Sequence, residues 1–186
     1  MKLFVKMLFT VALLANHVVF AKTVEDVEVA DTLSIDGQHL ILNGAGVRSK
    51  IFFDLYVGSL YLPEKTSDYM SAMDSSSAAI RLNITSGLIT PEKMQNAIIE
   101  GFEDATHKKL APIQIQIDEF IGLFESGIKE GDQFTFLAQK DTGITAFKND
   151  IKITKIKGEA FRRALFAIWL GDKPAQKSLK KKMLGK

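Results

Sequence analysis

Apolar and polar positions change their period several times along this chain, and each change marks an element. Val27 to Val29 reads as a short leading strand. Between Thr32 and Leu42, the apolar Leu33, Ile35, Leu40 and Ile41 flank Asp36-Gly37, which predicts a strand, a turn and a strand. Asn43-Gly44-Ala45-Gly46 reads as a tight passage of small residues. Val47 to Leu62 is long strand material, rich in Ile, Phe, Tyr, Val and Leu. It ends at Pro63, and Phe52-Phe53-Asp54 marks a turn inside it. Ala78 to Ile84 alternates and predicts another strand.

At Thr90 the period lengthens. Thr90-Pro91-Glu92 offers an N-cap hydroxyl, a proline at the first helical position and an acid in the first turn. Met94, Ala97, Ile98, Phe102 and Ala105 follow at helical spacing, with Glu92, Gln95, Glu103 and Lys108 opposite. A second helix holds Ile117, Phe120, Ile121 and Phe124 and stops near Gly127. After a turn at Lys129 to Asp132, Gln133 to Gln139 and Gly143 to Lys148 read as a hairpin, and Asp150 to Lys157 as a further strand. Phe161, Leu165, Ile168 and Trp169 make an apolar helical face closed by Gly171, and Pro174 opens a last helix carrying Leu179, Met183 and Leu184. Strands, two helices, strands and two helices predict one α+β domain, its antiparallel sheet covered by helices.

The first residues follow a different pattern. A basic start with Lys2 and Lys6 precedes an apolar run from Met7 to Ala15. Asn16 and His17 break that run before Val19-Phe20-Ala21. This predicts a signal peptide over residues 1–21, cut after Ala21, and a domain at 22–186 that is periplasmic or secreted. The run is less than half of the about 20 apolar residues that a membrane span needs. No transmembrane segment is therefore expected in the mature form.

Removing the leader changes the charge. The whole chain has 24 basic and 22 acidic residues, a net charge of +2. Lys2 and Lys6 supply that excess, so the mature domain is neutral. Neutrality argues against a nucleic-acid partner. Cysteine is absent, so an exported domain must hold itself by its apolar core rather than by disulfides.

Common catalytic patterns are missing. The chain has no thiol nucleophile, zinc-protease helix, phosphate loop or nucleophile elbow. His39 and His107 have no metal-binding spacing, and neither a metal nor a cofactor is expected. Asn83-Ile84-Thr85 matches a glycosylation sequon but falls within a strand. Lys180-Lys181-Lys182 reads as a solvated helix face or as a weak contact with an anionic membrane surface. Arg48 carries more. It follows a Gly-rich turn and opens an apolar strand, where an unpartnered guanidinium is costly. Facing a pocket, it would hold a carboxylate by a two-point pair. Tyr56 and Tyr61 lie on the same segment and could each add a hydrogen bond. A surface salt bridge for Arg48 and packed core tyrosines are the bland alternative.

Leu42-Asn43-Gly44-Ala45-Gly46-Val47-Arg48, with the apolar stretch to Tyr61-Leu62, resembles the chalcone isomerase superfamily. The stretch from Phe161-Arg162-Arg163 to Ile168-Trp169-Leu170-Gly171-Asp172-Lys173-Pro174, with Leu179 and Leu184-Gly185 after it, resembles that of exported bacterial chalcone isomerase-like proteins. The resemblance implies an open-faced sandwich, a large antiparallel sheet with helices packed on one face. It implies either an isomerase or a non-catalytic fatty-acid binder. The isomerase's Arg falls on Arg48, its strand Thr on Tyr56, its Tyr on Thr90, its Asn on Ala97 and its second Thr on Ile168. Ala97 and Ile168 cannot supply the isomerase's hydrogen bonds, so chalcone cyclisation is not expected. The fatty-acid-binding branch uses an Arg and a Tyr, which Arg48 and Tyr56 fit, with Tyr61 as the substitute.

The expectation is thus a non-catalytic periplasmic binder of a fatty acid or similar apolar anion. Its ligand-binding residues are Arg48, Tyr56, Tyr61 and Thr90. The alternatives are an isomerase or lyase anchored by Arg48, and an interaction protein with a vestigial pocket.

Overall fold

The computed structural model describes residues 21–186. Apart from Ala21, the leader expectation lies outside them. In chain order the elements are β1 (Ala21–Val24), β2 (Val27–Ala30), β3 (Thr32–Ile35), β4 (Gln38–Lys50), β5 (Phe53–Leu62), α1 (Tyr69–Asp74), β6 (Ser77–Ile84), α2 (Pro91–Ala105), α3 (Gln114–Gly122), β7 (Gln133–Gln139), β8 (Gly143–Lys148), β9 (Ile151–Lys157), α4 (Glu159–Leu170) and α5 (Lys177–Met183).

Strands β3 to β9 form one seven-stranded antiparallel sheet in sequence order. Asp36, in the β3–β4 turn, meets Lys152 of β9 with Oδ2 and Nζ 3.3 Å apart. The sheet therefore curls until its two edges approach. One face packs against the helices. Leu60, Ile80, Phe134 and Phe136 meet Phe102, Phe120, Phe161 and Trp169 there. The other face is a smaller cluster of Leu33, Leu40, Val57, Tyr61, Leu137 and Phe147, to which Val29 of the small β1–β2 hairpin contributes. This is the expected α+β architecture, with a modest lid on the face that was expected to be open.

Several local expectations shift. Asn43 to Gly46 is not a turn. It lies in the middle of the thirteen-residue β4, and its small residues make room for α5. A Cβ at Gly44 would collide with the Lys182 carbonyl, and one at Gly46 would sit 2.7 Å from the Lys182 Cβ. The turn within Val47 to Leu62 falls at Ile51-Phe52, so this stretch is two paired strands. Val27 to Ala30 has an unforeseen partner in Ala21 to Val24, joined through Glu25 and Asp26, both at positive φ. Helix α1 was not anticipated, being too short for periodicity to register. Asp68 caps it, accepting from Ser71 N at 2.7 Å. The last helix starts at Lys177 rather than at Pro174, because Gln176 is held extended as its N-cap.

Candidate functional site

The hairpin of β4 and β5 brings Arg48 and Tyr56 directly opposite each other. A two-residue turn at Ile51-Phe52 pairs Lys50 with Phe53 and Ser49 with Asp54. Unbroken register would then place Leu55 opposite Arg48. A register shift between Arg48 and Ser49 inserts one extra residue and puts Tyr56 there instead. Such bulges re-aim side chains beside sites.

Both residues line a cavity of about 740 Å³ between the sheet and helices α2 and α4. That lies within the ~300–1,000 Å³ usual for small-molecule pockets. Its apolar wall includes Leu55, Leu82, Met94, Ala97, Ile98 and Ile168. Gly101 lets α2 and α4 approach, since a Cβ there would come 2.8 Å from Ile168 Cγ2.

At the polar end Trp169 Nε1 donates to Tyr56 Oη at 2.9 Å. An indole N–H can only donate, so the phenol oxygen is the acceptor. Burial pushes the Tyr56 phenol above its ordinary range. The Trp169 bond and the Arg48 charge oppose that shift without cancelling it. Arg48 Nη1 donates to Ser49 O at 2.8 Å and to Gln176 Oε1 at 3.0 Å. Gln176 also accepts from Ser49 N at 2.9 Å, so the α5 N-cap fixes the guanidinium against β4. Among the described residues, no carboxylate lies within ion-pair distance of Arg48.

The other anticipated site residues lie elsewhere. Tyr61 is five positions beyond Tyr56, and alternation along a strand turns it to the opposite face. There it packs in the smaller cluster and donates to Ala30 O at 3.0 Å. Thr90 caps α2, its hydroxyl accepting from Lys93 N at 3.2 Å, and does not line the cavity. Ala97 and Ile168 do line it, as apolar wall. The roles of Trp169 and Gln176 were missed. A signal for Trp169 existed, since an indole on an otherwise aliphatic and phenyl face requires an acceptor. Gln176 gave no such signal.

His39 and His107 stay apart from the cavity, with His39 Nδ1 2.9 Å from Ser34 Oγ. Asn83 of the sequon accepts from Gln133 Nε2 within the sheet. Among the described residues, no group of three or more His, Cys, Asp or Glu could hold a metal ion, and no helix is long and apolar enough to cross a membrane.

The sequence matches a family model described as chalcone isomerase-like over residues 21–185. No curated relative matches it. The fold is similar to the crystal structure of a fatty-acid binding protein from Arabidopsis thaliana. The TM-score is 0.67 at 13% identity, covering 86% of this chain and 92% of that one. A family match that runs through the whole curled sheet, the Arg48 strand and the final helix leaves one assignment: this chain belongs to the chalcone isomerase-like family.

Proposed function

We propose that this protein binds a fatty acid or a similar apolar anion without transforming it, with Arg48 anchoring the head group and Tyr56 donating a second hydrogen bond. One observation carries the reading: where Arg48 meets Tyr56, the cavity offers donors and no acceptor. The Tyr56 oxygen already accepts from Trp169, and its own proton has no acceptor among the described residues. Arg48 spends Nη1 on Ser49 and Gln176 and lies beside the Tyr56 oxygen, so its remaining N–H groups sit at the same polar end of the cavity. A guanidinium cannot accept, and the committed phenol has only a donor left. A carboxylate satisfies both, and an acyl chain suits the aliphatic wall of Leu82, Ala97, Ile98 and Ile168.

Binding is favoured over proton-transfer catalysis because Tyr56, pushed up by burial, is a poor base at neutral pH. The fatty-acid binding protein that shares the fold adds support at the level of architecture. The leader pattern of residues 1–21 supports a periplasmic or secreted setting.

Native mass spectrometry of protein recovered from the extracytoplasmic fraction reads both claims at once. The expected species begins at Lys22 and carries a fatty acid or comparable lipid anion, which Arg48→Ala loses. An empty native protein, or an Arg48→Ala variant equally loaded, would sink the binding reading. A retained leader would sink the export reading alone.

A further inference from the structure

The β4–β5 turn breaks a local rule. Ile51 and Phe52 form a two-residue connection, and Ile51 sits at φ 60°. A β-branched residue in the left-handed region is a genuine outlier, at a position that suits glycine or asparagine. The side chains gain nothing visible in return. Ile51 is 81% exposed and Phe52 is 93% exposed. Phe53, next in the chain, is 55% exposed, and Leu88, before α2, is 44% exposed. Such a cost persists where it serves function rather than folding.

The location is specific. Ile51, Phe53 and Leu88 all line the cavity that holds Arg48 and Tyr56. The charges around it are unequal. Arg48, Lys50, Lys93 and Lys173 line it against Glu100 and Asp104. The domain from Lys22 onward is neutral, so this region holds a local positive excess. Apolar side chains at a turn tip, ringed by lysines, have the composition of an interfacial membrane anchor.

We propose that the Ile51-Phe52-Phe53 tip, with Leu88, docks on an anionic phospholipid bilayer. The tip enters the acyl boundary, and Lys50 and Lys93 rest among the headgroups. Docking sets the cavity against the lipid, so an apolar anion could pass between the two without crossing water. That last consequence rests on the binding reading; the docking itself stands on the turn and its charges.

The test is co-sedimentation of the mature domain with two kinds of vesicle, phosphatidylcholine alone and an equal mixture with phosphatidylglycerol. The expected result is binding to the mixed vesicles that weakens as salt is raised. Phe52→Ser should lower partitioning about tenfold, since one buried phenyl side chain is lost, with its thermal unfolding unchanged. Ile51→Gly should also weaken partitioning, yet raise the melting temperature, because glycine accepts positive φ freely. Native protein that stays in the supernatant with mixed vesicles would overturn the proposal. So would variants that partition as well as native. Self-association that Phe52→Ser abolishes, without vesicle binding, would make the tip a contact between copies and end the bilayer reading. The vesicles contain no free fatty acid, so failure of the ligand assay leaves this result intact.

Discussion

Tyr56 receives a hydrogen bond from Trp169 and has one to give. Replacing it with Phe should therefore act twice. Ligand affinity should fall about tenfold, in line with a lost hydrogen bond to a charged acceptor. Stability should fall by about 1 kcal/mol, because the buried Trp169 N–H loses its acceptor. Trp169→Phe should weaken binding less, since Tyr56 keeps its donor. Calorimetric titration with a long-chain fatty acid, beside urea unfolding, separates the two effects. Equal affinity in native and Tyr56→Phe protein would remove Tyr56 from the head-group site. The sequence held half of this arrangement. Strand alternation alone separates Tyr56 from Tyr61, which are an odd number of positions apart. The other half depends on the register shift beside Ser49, and no residue pattern announces that bulge.

Helix α5 reaches the site through its N-cap Gln176, which accepts from Arg48, and its seat was already written in β4. Gly44, Gly46 and the facing Gly58 of β5 leave a groove that α5 fills with Leu179 and the Lys182–Met183 backbone. Asn43 fastens the end, donating from Nδ2 to Met183 O at 2.7 Å and accepting from Thr66 N at 2.8 Å. The two stretches that carried the family resemblance therefore meet in space. What they share is the docking that aims Gln176 at Arg48. The glycines looked like turn residues because small side chains serve turns and close helix-on-strand contacts equally well. Gly44→Ala should push α5 outward, since the obstacle is a backbone carbonyl rather than a flexible side chain. The expected cost is about 1–3 kcal/mol, as for overpacking in a core. Ligand affinity should fall with it, although position 44 does not line the cavity. Urea denaturation with a parallel binding titration checks this, and unchanged values in both would mean that α5 tolerates displacement.

Across the whole molecule, alternation and helical period disclosed most of the strands and the layer of helices, because burial on one face dictates both. They did not disclose how distant elements are pinned together, which rests on a few polar side chains. Arg162 is 1% exposed and makes one such pin. Its Nε and Nη2 grip both oxygens of Glu159 at 2.7 and 2.6 Å, and Nη2 also donates to Met73 O at 2.9 Å. Arg163 adds a bond from Nε to the same carboxylate and pairs with Asp74. Helix α4 is thereby tied to α1 across the chain. The Arg162 hydrogen bonds hold the Glu159 carboxyl down at about 2, from an ordinary 4.5, against an opposing effect of burial. A lowered folded value means that the unfolded chain binds the proton more readily. The stabilisation from Glu159 is thus complete above pH 4.5 and is lost as the pH falls through about 2. Glu159→Gln leaves Arg162 buried without its counter-charge. The expected cost at neutral pH is about 2–4 kcal/mol, slightly below the range for fully buried pairs because Glu159 still reaches water. Asp68 and Asp132 also have lowered carboxyl values, so both proteins should weaken in acid. The gap between their unfolding free energies isolates Glu159, and it should narrow steadily from pH 4.5 downward. A gap that stays constant across that window would show that Glu159 acts by packing rather than by charge.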